Sequence, residues 1–123
     1  GIEYVSNVNR MIAGVQPFRL GKVFVLHGNE IKMAWDGVNL ARTMFLKTFN
    51  NTIFGHFHQS QQYIAKKLDG SHDGSWMVGC LCRLAEAYSP MNSWVHGFAT
   101  VKYDVSTGLF KTRNKIILGD RVL

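Results

Sequence analysis

Lys22-Val23-Phe24-Val25-Leu26-His27-Gly28 has the pattern of a short buried strand followed directly by a histidine and a glycine. The run over residues 22–26 has strand length and is typical of a strand covered on both faces in a layered α/β protein. The same arrangement recurs at Thr52-Ile53-Phe54-Gly55-His56-Phe57-His58. The sequence therefore predicts two buried strands, each ending in histidine beside glycine.

A predicted helix separates the two strands. Residues 38–49 favour a helix because their apolar side chains recur on one face: Val38, Ala41, Met44, Phe45 and Phe49. A right-handed strand–helix–strand unit makes the strands parallel neighbours, with both carboxyl ends on one edge of the sheet. We therefore expect His27, His56 and His58 to meet at that edge. Neutral imidazole is a common ligand of divalent metals, so a metal site is predicted there.

His56 and His58 are two residues apart, and this spacing leaves their directions open. In an extended segment both side chains point the same way, whereas in a loop they can splay towards two different ions. A histidine pair of this spacing is a weak signal by itself. The preceding strand and the second strand–His–Gly stretch upstream make it more specific.

The rest of the chain is predicted to be strand-rich. A short helix is expected within residues 1–14, before Pro17, and strands are expected over residues 62–68, 75–78, 98–103, 109–117 and 121–123. This order predicts a single domain over residues 1–123, of the α/β class. It would form part of a β-sandwich flanked by helices, with a strand-rich carboxy-terminal half.

The chain carries a formal net charge of +6, which suits a phosphate-bearing partner. The nearest approach to a basic patch is Lys111, Arg113 and Lys115, which alternate along a predicted strand and so share a face. Such a face is more often simply solvated. No run of residues approaches the length of a membrane span, so no membrane association is expected.

Cys80 and Cys82 are the two cysteines of the chain. An offset of two residues is a poor disulfide geometry, which predicts reduced thiols and a cytoplasmic protein. The pair could form half of a zinc site with His56 and His58, although the spacing differs from the usual Cys-x₂₋₄-Cys. Buried small apolar residues are the favoured interpretation.

From about Lys22 onward the chain resembles the calcineurin-like metallophosphoesterases, in particular their phage-type members. Two elements of the family pattern, a lone His-Gly and a Gly-His-x-His, match His27-Gly28 and Gly55-His56-Phe57-His58 in order and context. Downstream, Gly79-Cys80-Leu81-Cys82 and Trp94-Val95-His96-Gly97-Phe98 resemble the tail of the phage-type members. For a phage-encoded protein the expected compartment is the host cytoplasm.

The resemblance implies hydrolysis of a phosphomonoester or phosphodiester by metal-activated water, with a nucleotide or nucleic acid as possible substrate. His27 and His56 would bind the second of two divalent ions and His58 the first, with manganese, iron, zinc or nickel as candidates. His96 would lie near the site entrance and contact substrate.

The chain departs from the family pattern in its carboxylates. The Asp-x-His and Gly-Asn-His elements are not found, and no Gly-Asp pair precedes His27, since Gly119-Asp120 comes after the histidines. Gly28-Asn29-Glu30 follows His27 and lacks the histidine of the Gly-Asn-His element. The chain is therefore interpreted as the carboxy-terminal part of a phosphoesterase domain, inactive by itself. A second chain or self-association is expected to complete it. Two alternatives remain: a non-catalytic, complementing binding module, and a basic nucleic-acid-binding domain.

Overall fold

The computed structural model describes residues 5–34, 37–84 and 92–123. In these ranges the chain is a mixed α/β structure, rich in strands, with two sheets and two helices. In chain order, the elements are α1 (Asn7–Ile12), β1 (Arg19–Leu20), β2 (Val23–Leu26), α2 (Leu40–Thr48), β3 (Asn51–Phe54), β4 (Gln61–Lys66), β5 (His72–Met77), β6 (Gly97–Tyr103), β7 (Phe110–Leu118) and β8 (Arg121–Val122).

The larger sheet has five strands in the order β1-β2-β3-β5-β4. Strands β2, β3 and β5 are parallel, while β1 and β4 are antiparallel strands at the two edges. The prediction that the two histidine-bearing strands are parallel neighbours is confirmed, with Leu26 aligned to Phe54. Both strands end at the same edge, and the two histidine loops begin there.

Helix α2 covers one face of this sheet. Asn39 caps its first turn by accepting a hydrogen bond from the backbone N–H of Arg42, and Phe49 ends it in the left-handed conformation. The helix packs mainly against β5 and β4, and also contacts β3. The fully or nearly fully buried members of this cluster are Leu26, Leu40, Ala41, Met44, Phe54, Phe57 and Met77.

The second sheet, of order β6-β7-β8, covers the opposite face. Val23, Ile53 and Trp76 point to this side, and Ala99, Val101 and Phe110 pack against them. The Trp76 and Phe110 rings meet edge to face with centroids 5.5 Å apart. The Asn114 amide joins the sheets by donating to the carbonyl oxygens of Gln61 and Met77. The central strands are therefore covered on both sides, as the apolar runs predicted.

Helix α1 lies within the range over which a short helix is predicted. Residues 1–4 of the predicted helix lie outside the described ranges, and α1 itself has only six residues, capped by Ser6. None of its residues is buried, and Ile12 is 80% exposed. In the described part of the chain, neither helix combines the length and the apolar character needed to cross a membrane.

Candidate metal centre

The ends of β2 and β3 place His27 and His56 side by side. Because the two strands run in register to Leu26 and Phe54, the backbone N–H of Gly55 donates to the His27 carbonyl oxygen over 2.8 Å. The His27 Nε2 and His56 Nδ1 atoms are then 3.0 Å apart, and the ring centroids are 4.9 Å apart. Without a metal, one ring nitrogen donates its proton to the other.

His56 and His58 both adopt left-handed backbone conformations, with φ of 71° and 62°. This region costs a non-glycine residue about 1–2 kcal/mol, and such strain tends to collect at functional sites. Phe57 between them is 2% exposed and packs its ring edge to face against Phe54, which anchors the loop in the core. The two histidines consequently splay: His56 turns towards His27, and His58 turns towards Cys82.

Glu30 fixes the loop that carries His27. Its carboxylate accepts hydrogen bonds from the backbone N–H groups of His27 and Gly28, at 2.9 and 2.7 Å, and from the Asn7 side-chain amide at 3.0 Å. Burial alone would raise the pKa of Glu30. The hydrogen bonds from Gly28, Asn7 and His27 outweigh burial and hold the pKa below its ordinary value. No role for Glu30 could be predicted from the sequence, because its hydrogen-bond partners are set by the conformation of the loop.

The surroundings of His56 and His58 favour the neutral form of both rings. Burial lowers the pKa of His56, and positive charge on His27 and His58 lowers it further, against an opposing effect of Glu30. Burial, followed by charge on His27, also lowers the pKa of His58. Neutral imidazole is the form that binds metal, so the lowered pKa values of His56 and His58 favour the form that acts as a ligand.

The His27–His56 pair fits two positions of a metal coordination sphere. With metal–nitrogen bonds of about 2.0–2.1 Å, two nitrogens at right angles are about 2.9 Å apart and two at a tetrahedral angle about 3.4 Å apart. The observed separation of 3.0 Å falls between these values. The separation is therefore compatible with a shared ion, once the rings turn to direct both nitrogen lone pairs at it.

His58 belongs to a different group. Its Nδ1 lies 3.6 Å from the Cys82 sulfur, and its ring meets the Trp94 ring edge to face at 4.6 Å. The expectation that Cys80 and Cys82 are reduced thiols is not met, because the structure joins them in a disulfide. The chain bends at Leu81 and Cys82, so the Cα atoms are 5.3 Å apart, inside the range that a disulfide spans.

His96 also lies with the cysteines. Its Nε2 donates to the Cys82 carbonyl oxygen over 2.6 Å, and its backbone forms an isolated bridge with Cys80. This contact fixes the conformation of the cysteine segment. The predicted contact of His96 with substrate stays a prediction.

We expect Glu30→Gln to destabilise the fold by about 1–2 kcal/mol at pH 7, because the side-chain nitrogen of the new glutamine would face the backbone N–H donors. Glu30 is partly exposed, which keeps the loss in the lower part of the range for hydrogen bonds to charged groups. The pKa of Glu30 is lower in the folded chain, so its contribution is present above the unfolded pKa and is lost as the pH falls through the folded pKa. Urea denaturation at several pH values measures this difference.

The matched control is Asp120→Asn, which changes an exposed carboxylate in the turn before β8. Its effect should stay within about 0.5 kcal/mol. If Glu30→Gln matched this control at pH 7, the carboxylate would not be holding the His27 loop.

The candidate site thus consists of two parts: the facing imidazoles of His27 and His56, and His58 beside the two cysteines. Comparison with models of known protein families, with curated proteins and with solved structures finds no match to this chain.

Proposed function

We propose that this chain carries the histidine half of a metal-dependent phosphoesterase site. The observation that supports the proposal most strongly is the pair of imidazole nitrogens 3.0 Å apart at the carboxyl edge of two parallel strands. Ligand sites in open α/β sheets collect at that edge. The layered arrangement, with a helix on one face of the central strands and a second sheet on the other, is compatible with the sandwich that the resemblance implies.

His27 and His56 would hold one divalent ion through Nε2 and Nδ1. His58 would provide a ligand to a second ion. Its ring would then bind that ion instead of contacting Cys82. Bound ions of this type lower the pKa of water and stabilise the negative charge of a phosphoester during hydrolysis. Manganese, iron, zinc and nickel remain the candidates, since imidazole suits several of them.

Carboxylates are the other ligands that such ions need, and three neutral histidines provide no negative charge. Glu30 lies close to His27, but both of its oxygens accept hydrogen bonds from the loop. In this proposal the missing carboxylates come from a second chain or a second copy. The substrate is a phosphomonoester or phosphodiester, with nucleotides and nucleic acids as the class that the positive net charge favours.

The test is titration of Ni²⁺ into the disulfide form of the chain, in which the cysteine sulfurs are not available as thiolates. We expect His27→Ala and His56→Ala each to weaken binding at least about tenfold, because each removes one of two nitrogen ligands. Isothermal titration calorimetry measures the dissociation constants. His72→Ala is the matched control, since His72 is exposed on β5, away from the histidine loops.

A second measurement addresses the phosphoester. The Ni²⁺-loaded chain should bind inorganic phosphate, and chelator should abolish that binding. Unchanged Ni²⁺ affinity in both histidine variants, with the fold intact by circular dichroism, would overturn the metal site and favour the complementing binding module. A DNA affinity that falls steeply with salt concentration but does not change on addition of chelator would favour the nucleic-acid-binding alternative.

A further inference from the structure

We propose that His58, Cys80 and Cys82 form a second metal site, specific for a thiolate-preferring ion such as Zn²⁺ and available only when the disulfide is reduced. One nitrogen or sulfur atom from each of the three residues lies within 4.8 Å of the other two. This group is separate from the His27–His56 pair, and its ligand types differ. Two thiolates and one imidazole select zinc over the hard cations that carboxylates bind.

The distance between His58 and Cys82 already matches zinc coordination. Zinc binds thiolate sulfur at about 2.3 Å and imidazole nitrogen at about 2.0–2.1 Å, which places the two ligand atoms about 3.6 Å apart in a tetrahedral site. The His58 Nδ1 and Cys82 Sγ atoms are separated by 3.6 Å. One edge of the coordination tetrahedron therefore exists before any ion is bound.

The backbone holds these residues in place from several directions. The N–H of Val95 donates to the His58 carbonyl oxygen, and the N–H of Cys80 donates to the Val95 carbonyl oxygen, at 2.8 and 2.9 Å. His96 donates to the Cys82 carbonyl oxygen. The edge-to-face contact with Trp94 restrains the His58 ring. A preorganised ligand set of this kind loses little conformational freedom when an ion binds.

Opening the site requires a reductant. A dithiol that reduces Cys80–Cys82 transfers two electrons and two protons: the sulfur–sulfur bond breaks, two thiols form, and the dithiol becomes a cyclic disulfide. Zinc then displaces one proton from each thiol. The sulfurs must separate to about 3.8 Å, the edge between two thiolates in a tetrahedral site. Rotation of the cysteine side chains can provide that separation without a change in the fold.

Three protein ligands leave the fourth tetrahedral position for water or another ligand, an arrangement found in catalytic rather than closed structural zinc sites. The site also removes His58 from the dinuclear centre proposed above, because one neutral imidazole does not bind two ions at once. Reduction and zinc binding would thus compete with occupation of the first phosphoesterase ion.

The test uses Co²⁺ as a spectroscopic substitute for Zn²⁺, titrated anaerobically into the chain after reduction by a phosphine that is itself removed. We expect one Co²⁺ per chain with a sulfur-to-cobalt charge-transfer band in the near ultraviolet, displaced by Zn²⁺. The oxidised chain should show no such band. Zn²⁺ should also slow the reaction of both thiols with a thiol reagent at least about tenfold, because bound thiolates are poor nucleophiles.

Variants distinguish this site from the His27–His56 pair. Cys82→Ser should abolish the charge-transfer band or weaken Co²⁺ binding at least about tenfold, and His58→Ala should weaken it similarly. His27→Ala should leave the band unchanged while it lowers Ni²⁺ affinity at the other site. A band of equal strength in Cys82→Ser, or its absence from the reduced wild type, would overturn the proposal whatever the outcome at His27 and His56. Circular dichroism establishes that each variant is folded.

Discussion

Substitution of Gly28 by alanine is expected to separate the two histidine loops. Gly28 has a φ of +124°, and a Cβ atom added there would lie 2.7 Å from the Gly55 carbonyl oxygen and 2.8 Å from the His56 Cβ. Backbone cannot move aside as a flexible side chain can, so the loops must part. We expect a loss of about 2–4 kcal/mol in the free energy of unfolding, from the clash and the unfavourable φ together. Denaturant titration measures it.

The same substitution should also weaken Ni²⁺ binding at least about tenfold, because the His27 and His56 nitrogens can no longer approach each other closely. Gly70→Ala is the matched control: Gly70 has a φ of +88° but nothing within 4 Å of the added Cβ. It should cost only the strain of the left-handed region, about 1–2 kcal/mol, and leave Ni²⁺ affinity unchanged. Equal effects of the two substitutions on Ni²⁺ binding would show that loop contact does not position the histidines.

The sequence predicted the strands and α2 well because their physical causes are local. Apolar runs of strand length at residues 22–26 and 52–54 favour burial, and a stripe with helical spacing separates them. The two ends of that stripe, Val38 and Phe49, lie outside α2 and are 92% and 72% exposed. Parallel pairing of β2 and β3 then follows from the handedness of the crossover. The proximity of His27 and His56 is a direct consequence of that pairing, so this part of the site could be predicted from the sequence.

The remaining features depend on contacts between distant residues. His58 and Cys82 are 24 residues apart, and their approach requires the segment around Val95 to link both backbones. The expectation of reduced thiols rested on the two-residue offset, which is a poor disulfide geometry, whereas the bend at Leu81 and Cys82 brings the two Cα atoms to 5.3 Å. Glu30 was dismissed because its sequence motif was incomplete, whereas its role comes from two backbone N–H groups that only a folded loop presents.

The strained backbone of the histidine loop depends on the packing of the core around it. His56 and His58 occupy the left-handed region, and the loop stays there because Phe57 is held in the core between them. Strained backbone persists only where the surrounding packing determines it. The stability of the core and the geometry of the candidate site are therefore linked through Phe57 and its neighbour Phe54.

Replacement of Phe54 by alanine tests this link and should have the largest effect on stability. Phe54 is 1% exposed, contacts the Phe57 ring and belongs to the cluster beneath α2. Removal of a buried phenyl ring costs about 3–5 kcal/mol, a large part of the 5–15 kcal/mol that stabilises a typical domain. The melting temperature should fall by roughly 10–20 °C. Differential scanning calorimetry and urea denaturation measure the two quantities.

Phe49→Ala is the control, because Phe49 is 72% exposed at the end of α2. Phenylalanine and alanine are both unfavourable in the left-handed backbone conformation of this position, so the substitution does not change the backbone strain. It should change stability by no more than about 0.5 kcal/mol. In Phe54→Ala the cavity lies directly under Phe57, so Ni²⁺ affinity should also fall even where the chain is still folded. A variant that loses the stability but keeps wild-type Ni²⁺ affinity would show that the histidine loops hold their geometry independently of the core. In that case Glu30 and the Gly28–Gly55 contact would be the elements that position His27 and His56.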